Sequence, residues 1–428
     1  MTMHRTQRAW RKAEQLGGKE ALNCIAEINE SALEEANYQG RKPSEASGMP
    51  GELLLRGVPI LVKDNIDVKG MHTTAGSLAL EDNIALEDAH VIKNLRRHGA
   101  VILGKTNMTE FANYVSSSMP GGYSSRGGQV KHAISEQAEP GGSSTGSGVA
   151  VSAGIVSMAV GTDTSFSIIA CAKFNGICGI KPPVGILSQE GIIPVAKTLD
   201  SPGPMAETFL DALRMYRAMR DEPFPELRPT ALDKLNIAVN QANHDRVDEG
   251  EKDFLEKTIG KLKEAGTSVK TVLQEKEPML KTIMKWEFRP MLEKYLSTST
   301  ASRKTLSEIV KFYETNPDTM MKYGHDYLKE ALEDTPDGLF GEEYLDALRH
   351  RKARIEEVRE EISDVDAVIM TGPTNVMHFC GLPSVTIAGS DVDEHGVRRA
   401  VVMYGTDEKK LYSAALAIER VILGGLDI

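Results

Sequence analysis

The sequence predicts an α/β fold formed as a single large domain, with a mixed, largely parallel central sheet flanked by helices. Three observations carry this expectation. Between Gly57 and about Pro204, short apolar runs alternate with helical segments, as strands joined by crossover helices would. The most apolar stretch, roughly Val149 to Ile180, is broken by Gly154, Asp163, Lys173 and several Ser and Thr residues, so it reads as buried strands and a helix, not a membrane span. No internal repeat or low-complexity linker divides the 428 residues, and the about three domains that length alone suggests give way to one covering 1–428.

Residues 5–40 carry helical periodicity, with Leu22, Ile25, Ile28 and Leu33 spaced for one face, and are expected to form an amphipathic helix pair. The core block, 57–204, supplies strands at Val58–Val62, Ala100–Leu103, Val151–Val160 and Ile177–Ile180, with a helix at Ala89–His98. Leu235–Val239 reads as a further strand and Lys252–Ala265 as a helix. Residues 275–362 turn Lys/Glu/Met-rich and helical, and are expected to cover one side of the sheet. Ala367–Met370, Ser384–Ala388 and Val397–Tyr404 read as the last strands, and Lys409–Leu423 as a closing helix.

Composition narrows the function. A net charge of −11, from 50 Lys+Arg against 61 Asp+Glu, lacks the local cation excess that nucleic acid or an anionic membrane requires. Cys24, Cys171, Cys178 and Cys380 show neither CxxC nor Cys/His spacing, so no metal site is expected, and they read as reduced, buried thiols of a cytoplasmic protein. The basic N-terminus is followed by no apolar signal region.

Three segments can carry chemistry: Val62-Lys63-Asp64-Asn65 after a strand, the loop from Pro140 to Gly148, and Gly161 to Ile168. Taken singly, a lysine after a strand is ordinarily a solvated turn residue and a Gly/Ser loop is a connection. The loop completes no phosphate-binding pattern, so no nucleotide cofactor is implied. Gly142 to Gly146 does match a G-x-S-x-G elbow with Ser144 as nucleophile and His378 or His395 downstream, an esterase reading that leaves Lys63 and the third segment without a role.

One chemistry uses all three segments. A buried lysine loses part of its preference for the charged form and can serve as a base, so Lys63 would draw a proton through Ser143 from Ser167. Ser167 would then attack a carbonyl carbon, with the backbone N–H groups of Thr164, Ser165, Phe166 and Ser167 aimed at the developing oxyanion. Ser144 would support the loop. Asp163, a carboxylate in an apolar run, would organise the turn before Ser167 through hydrogen bonds. No metal or organic cofactor is needed.

The chain resembles the amidase signature family. The likeness runs through Ala21–Glu35, Gly57–Asn65, Thr73–Leu78, Ala100–Ala112, the Gly/Ser loop, Gly161–Pro182 and Ser201–Ala206, and Ser167 stands 24 positions after Ser143, as that family's two serines do. The resemblance implies Lys63 as base, Ser143 as relay in a cis peptide, Ser167 as nucleophile and an acyl-enzyme intermediate. Ser125 to Gln129, Lys311 to Glu314 and Tyr323 to Asp326 look like the bacterial branch near peptide amidases. The implied substrate is a small-molecule linear amide or a peptide C-terminal amide; a homo-oligomer is left open.

Three departures stand out. Phe166 occupies the place of the family's glycine before the nucleophile, preceded by Ser165, and a positive φ there would be costly for it. Ala170-Cys171 replaces a proline, with Cys171 read as a core thiol. The segment Thr371 to Cys380 is shorter than the family's substrate loop. The Phe166 exchange motivates an alternative: a catalytically impaired, amidase-like binding or scaffold protein.

Overall fold

The run Pro-Ile-Leu-Val-Lys forms a strand in which every residue is buried, as aliphatic and β-branched side chains are when a sheet is covered on both faces. The computed structural model describes residues 2–41, 53–242, 247–336, 338–370 and 374–424, and extends that pattern into an eleven-stranded sheet.

In chain order the elements begin with helix α1 (Thr2–Leu16), strand β1 (Ile25–Ile28), α2 (Ala32–Arg41), β2 (Pro59–Lys63), α3 (His90–Arg97) and β3 (Val101–Thr106). A small hairpin, β4 (Tyr123–Ser124) and β5 (Gly128–Gln129), precedes α4 (Thr145–Ser152), β6 (Met158–Asp163) and α5 (Ile169–Phe174). Next come β7 (Cys178–Lys181), β8 (Ser201–Ala206), α6 (Phe209–Met219), β9 (Asn236–Asn240), α7 (Glu249–Glu264) and β10 (Ser268–Val272). The helical block holds α8 (Leu280–Thr298), α9 (Leu306–Thr315), α10 (Pro317–Met320), α11 (Asp326–Glu333) and α12 (Glu342–Glu361). The chain closes with β11 (Ala367–Met370), α13 (Val376–Phe379), β12 (Ser384–Val392), β13 (Arg398–Tyr404) and α14 (Glu408–Ile422).

The strand order is β1-β3-β2-β6-β8-β7-β12-β13-β11-β9-β10. The sheet is mixed, as expected, but parallel pairing is confined to β3-β2-β6 and β11-β9-β10, with antiparallel strands between them and β1 antiparallel at the edge. Parallel neighbours need a long crossover; β12 and β13 are joined by a tight turn, and no helix lies between β7 and β8, so both pairs run antiparallel.

The N-terminal segment differs from a helix pair. Ile25 and Ile28 lie in β1, a half-buried edge strand that pairs with β3 between the two helices. A four-residue strand cannot express the alternation that would reveal it, and its apolar residues happen to fall at helical spacing.

Alternation is plain elsewhere. Ile60 and Val62 join a core on one sheet face with Ile102, Val160 and helix α14, whereas Leu61 joins a second core on the other face with Leu103, Ala159 and helix α4. Only part of the helical block meets the sheet. Ile283 and Trp286 of α8 and Tyr344 and Val358 of α12 pack into the second core; Phe288, Leu292 and the helices α9 to α11 close a third core against residues 75–119.

Candidate active site

Lys63 ends β2, and Thr162 and Asp163 end the parallel neighbour β6, so their side chains arrive at the same sheet edge, where α/β sheets ordinarily place ligands. Between these strands in sequence, the loop Pro140–Ser144 leads into α4. That helix is made of small residues and lies buried from Thr145 to Val151. Its glycines permit the burial: a Cβ on Gly146 would stand 2.4 Å from the carbonyl oxygens of Asn107 and Cys24. The loop is held by Thr145 Oγ1, which donates to Gly141 O at 2.8 Å, and by Thr109 N, which donates to Ser143 O at 3.1 Å. The Gly142–Ser143 peptide is cis.

The three residues singled out in sequence meet. Lys63 Nζ donates to Ser143 Oγ at 2.8 Å, and Ser143 Oγ lies 2.9 Å from Ser167 Oγ, forming one continuous hydrogen-bonded line. Lys63 is fully buried and also donates to Thr162 Oγ1 at 2.8 Å and Thr162 O at 3.2 Å. Burial lowers its pKa to about 7, against the attraction of Asp163 and Asp200. A lysine so placed exchanges its proton near neutrality.

The turn bearing Ser167 is held from both ends. Asp163 Oδ2 accepts from the N–H of Ile168 at 2.7 Å and of Ile169 at 3.2 Å, at the start of α5 and after Ser167, whereas the sequence reading places its hydrogen bonds in the turn before the serine. Burial alone would raise this carboxyl, but His378, the Ile168 N–H and Lys181 outweigh it and hold the pKa at about 2. Thr164 Oγ1 donates to Asp200 Oδ1 at 2.6 Å, and burial pushes that carboxyl up to about 7 despite N–H bonds from Val195 and Ala196.

Phe166 sits at φ +70°, the left-handed region that favours glycine. Its N–H donates to His378 Nε2 at 3.2 Å, so of the four backbone donors expected to face an oxyanion this one is already engaged. Among the described residues, the N–H groups of Thr164, Ser165 and Ser167 meet no acceptor.

The esterase arrangement does not assemble. Ser144 Oγ bonds the backbone of Thr162 in both directions, at 3.1 Å and 3.3 Å, while His378 faces Asp163 and Phe166. Ser144 ties the loop to β6. Cys171 is a core thiol whose pKa burial raises to about 12. Thr371 to Pro373 of the divergent C-terminal loop lie outside the described residues; beyond them the chain enters α13, which carries His378. Sequence reasoning offers His378 only as a base and does not single out Asp200, because both meet the turn through tertiary contacts with no local motif.

Ser143 and Ser167 open into a cavity of about 410 Å³, walled by Tyr114, Leu280, Lys281, Tyr327, Glu330 and Asn375 among others. Among the described residues, no group of three His, Cys, Asp or Glu side chains gathers as metal ligands, and no helix is long and apolar enough to cross a membrane.

The fold is a mixed α/β sheet in which a buried lysine is hydrogen-bonded through one serine to a second, beside a cavity. The family model described as Amidase matches residues 6–379, and the chain belongs to the amidase family. A probable amidase of Arabidopsis thaliana is 30% identical over 94% of this chain and 83% of its own length. Among solved structures, the native peptide amidase of Stenotrophomonas maltophilia is similar, with a TM-score of 0.87, 29% identity and coverage of 98% of this chain and 93% of that one. An amidase family protein of Bacillus anthracis has a TM-score of 0.89 at 28% identity, covering 98% and 88%. Family membership supports amide hydrolysis.

Proposed function

We propose that this protein hydrolyses a small linear carboxamide or a peptide C-terminal amide through an acyl-enzyme on Ser167. The observation that carries the reading is the unbroken line from Lys63 Nζ through Ser143 Oγ to Ser167 Oγ. With Lys63 neutral, the line reverses: Ser167 gives its proton to Ser143 Oγ as Ser143 gives its own to Lys63 Nζ, and Ser167 Oγ bonds to the carbonyl carbon. Negative charge gathers on the carbonyl oxygen, where the N–H groups of Thr164, Ser165 and Ser167 stabilise it. The C–N bond breaks as the relay returns the proton to the leaving nitrogen. Water, deprotonated through the same relay, then attacks the ester carbonyl and restores Ser167.

The test is labelling with a serine-directed fluorophosphonate, with the adduct located by peptide mass spectrometry. An adduct on Ser167 that disappears in Lys63→Ala is expected; an adduct elsewhere, or none in folded protein, overturns the reading. The alternative, an amidase-like protein impaired in turnover, is favoured by one observation: the Phe166 N–H is taken up by His378. A large gain in amide hydrolysis on Phe166→Gly would support it.

A further inference from the structure

We infer that His378 is a positioning residue for Ser167, supplying by a side-chain hydrogen bond the hold on the left-handed turn at 166 that a glycine would not need. The inference rests on the reading of Ser167 as nucleophile.

His378 is fully buried on α13, more than two hundred residues from the turn it touches. Its Nε2 receives the Phe166 N–H, so the ring proton belongs on Nδ1, which lies 3.2 Å from Asp163 Oδ1. Burial favours the neutral imidazole and so keeps Nε2 an acceptor; Asp163 opposes that effect and Lys181 reinforces it. The Phe166 ring packs edge-on against the imidazole with centroids 4.4 Å apart.

Asp163 thus has two hands. Oδ2 holds the N–H groups after Ser167, and Oδ1 faces the imidazole that holds the N–H before it. Ser167 lies between these anchors. A non-glycine residue at φ +70° persists only where its surroundings over-determine the backbone, and the ring and acceptor of His378 supply that determination. Without the acceptor, the partly buried Phe166 N–H is left unpaired, and the peptide has reason to rotate, carrying Ser167 Oγ away from Ser143. A displacement of this kind costs acylation rate, not ligand affinity.

The experiment measures fluorophosphonate acylation of Ser167 in the full chain, separating the limiting rate from the half-saturating concentration. His378→Leu keeps volume and removes the acceptor; His378→Gln places an oxygen near the position of Nε2. Both lose the partner of Asp163, so their difference isolates the bond to Phe166. His378→Leu should lower the limiting rate about tenfold to hundredfold with little change in half-saturation, and His378→Gln should recover most of it. In a Phe166→Gly background the same His378→Leu change should cost less than about threefold, because glycine adopts the turn unaided. Equal costs in both backgrounds, or equal rates for Leu and Gln, overturn the inference while the Ser167 adduct still stands. Absence of an adduct on wild-type Ser167 instead removes the reading beneath it. Should His378→Leu fail to fold, His378→Gln decides: a limiting rate more than about tenfold below wild type overturns the inference, and a smaller loss supports it.

Discussion

Lys63 bears a heavy electrostatic demand, because a cation buried without a direct carboxylate partner is tolerated only near the edge of its protonated range. With its pKa at about 7, the neutral base accumulates as pH rises, so acylation of Ser167 should climb through neutrality to an alkaline plateau. Asp200 is one of the charges holding the Lys63 pKa up, so Asp200→Asn should move the midpoint of that profile to lower pH. A pH–rate series on both proteins checks the direction; an unchanged or raised midpoint contradicts it. At Phe166 the strain and the ring contact can be separated. Phe166→Ala loses the ring and keeps the left-handed cost, whereas Phe166→Gly loses both. The glycine variant should therefore be the more stable by roughly 1 kcal/mol, the reverse of the usual order, as read from denaturant midpoints.

At the scale of elements, the junction of β6 and α5 depends on one carboxylate. Asp163→Ala would leave the N–H groups of Ile168 and Ile169 and the imidazole of His378 without their partner, and should cost about 3 kcal/mol by denaturant unfolding. Helix α9 offers the contrast. Its Thr305–Glu308 capping box is remote from the serines, so Thr305→Ala should cost about 1 kcal/mol and leave acylation at the wild-type rate. Much of this level was legible in the chain. Strands β2 and β3 stand where apolar runs bounded by turn residues placed them, whereas the run read as a strand over Val151–Val160 begins in α4 and only its end enters β6, and Asp163 stood out as a carboxylate in an apolar stretch. Strand β1 was not, since Ile25 and Ile28 satisfy a helical spacing as readily as a four-residue strand. The division of the helical block was hidden for a different reason: Phe288 and Ile283 share one helix, yet one faces residues 75–119 and the other the sheet. The site obeyed the same rule. Lys63, Ser143 and Ser167 stand in compact local patterns, while His378 reaches them only through the fold.

Across the whole molecule, the buried lysine links folding to pH. Its folded pKa, about 7, lies below the ordinary 10.5, so between those values the unfolded chain holds a proton that the native chain does not, and stability rises with pH through that window. Lys63→Met removes the linkage. The stability of that variant relative to wild type should be greatest at or below pH 7 and decline toward pH 10.5, which chemical denaturation at several pH values would show; a flat difference refutes the assignment. The hydrogen-bonded line runs from Lys63 to Ser167, whereas Leu280, Lys281, Tyr327 and Glu330, on helices α8 and α11, form part of the cavity wall. Much of that wall thus comes from a later length of chain than the line of Lys63, Ser143 and Ser167, although Tyr114 and Asn375 also contribute to it. Changes confined to α8 and α11 would alter part of the cavity wall while Lys63, Ser143 and Ser167 keep their spacing, and a diversifying lineage or a designer inherits the same freedom.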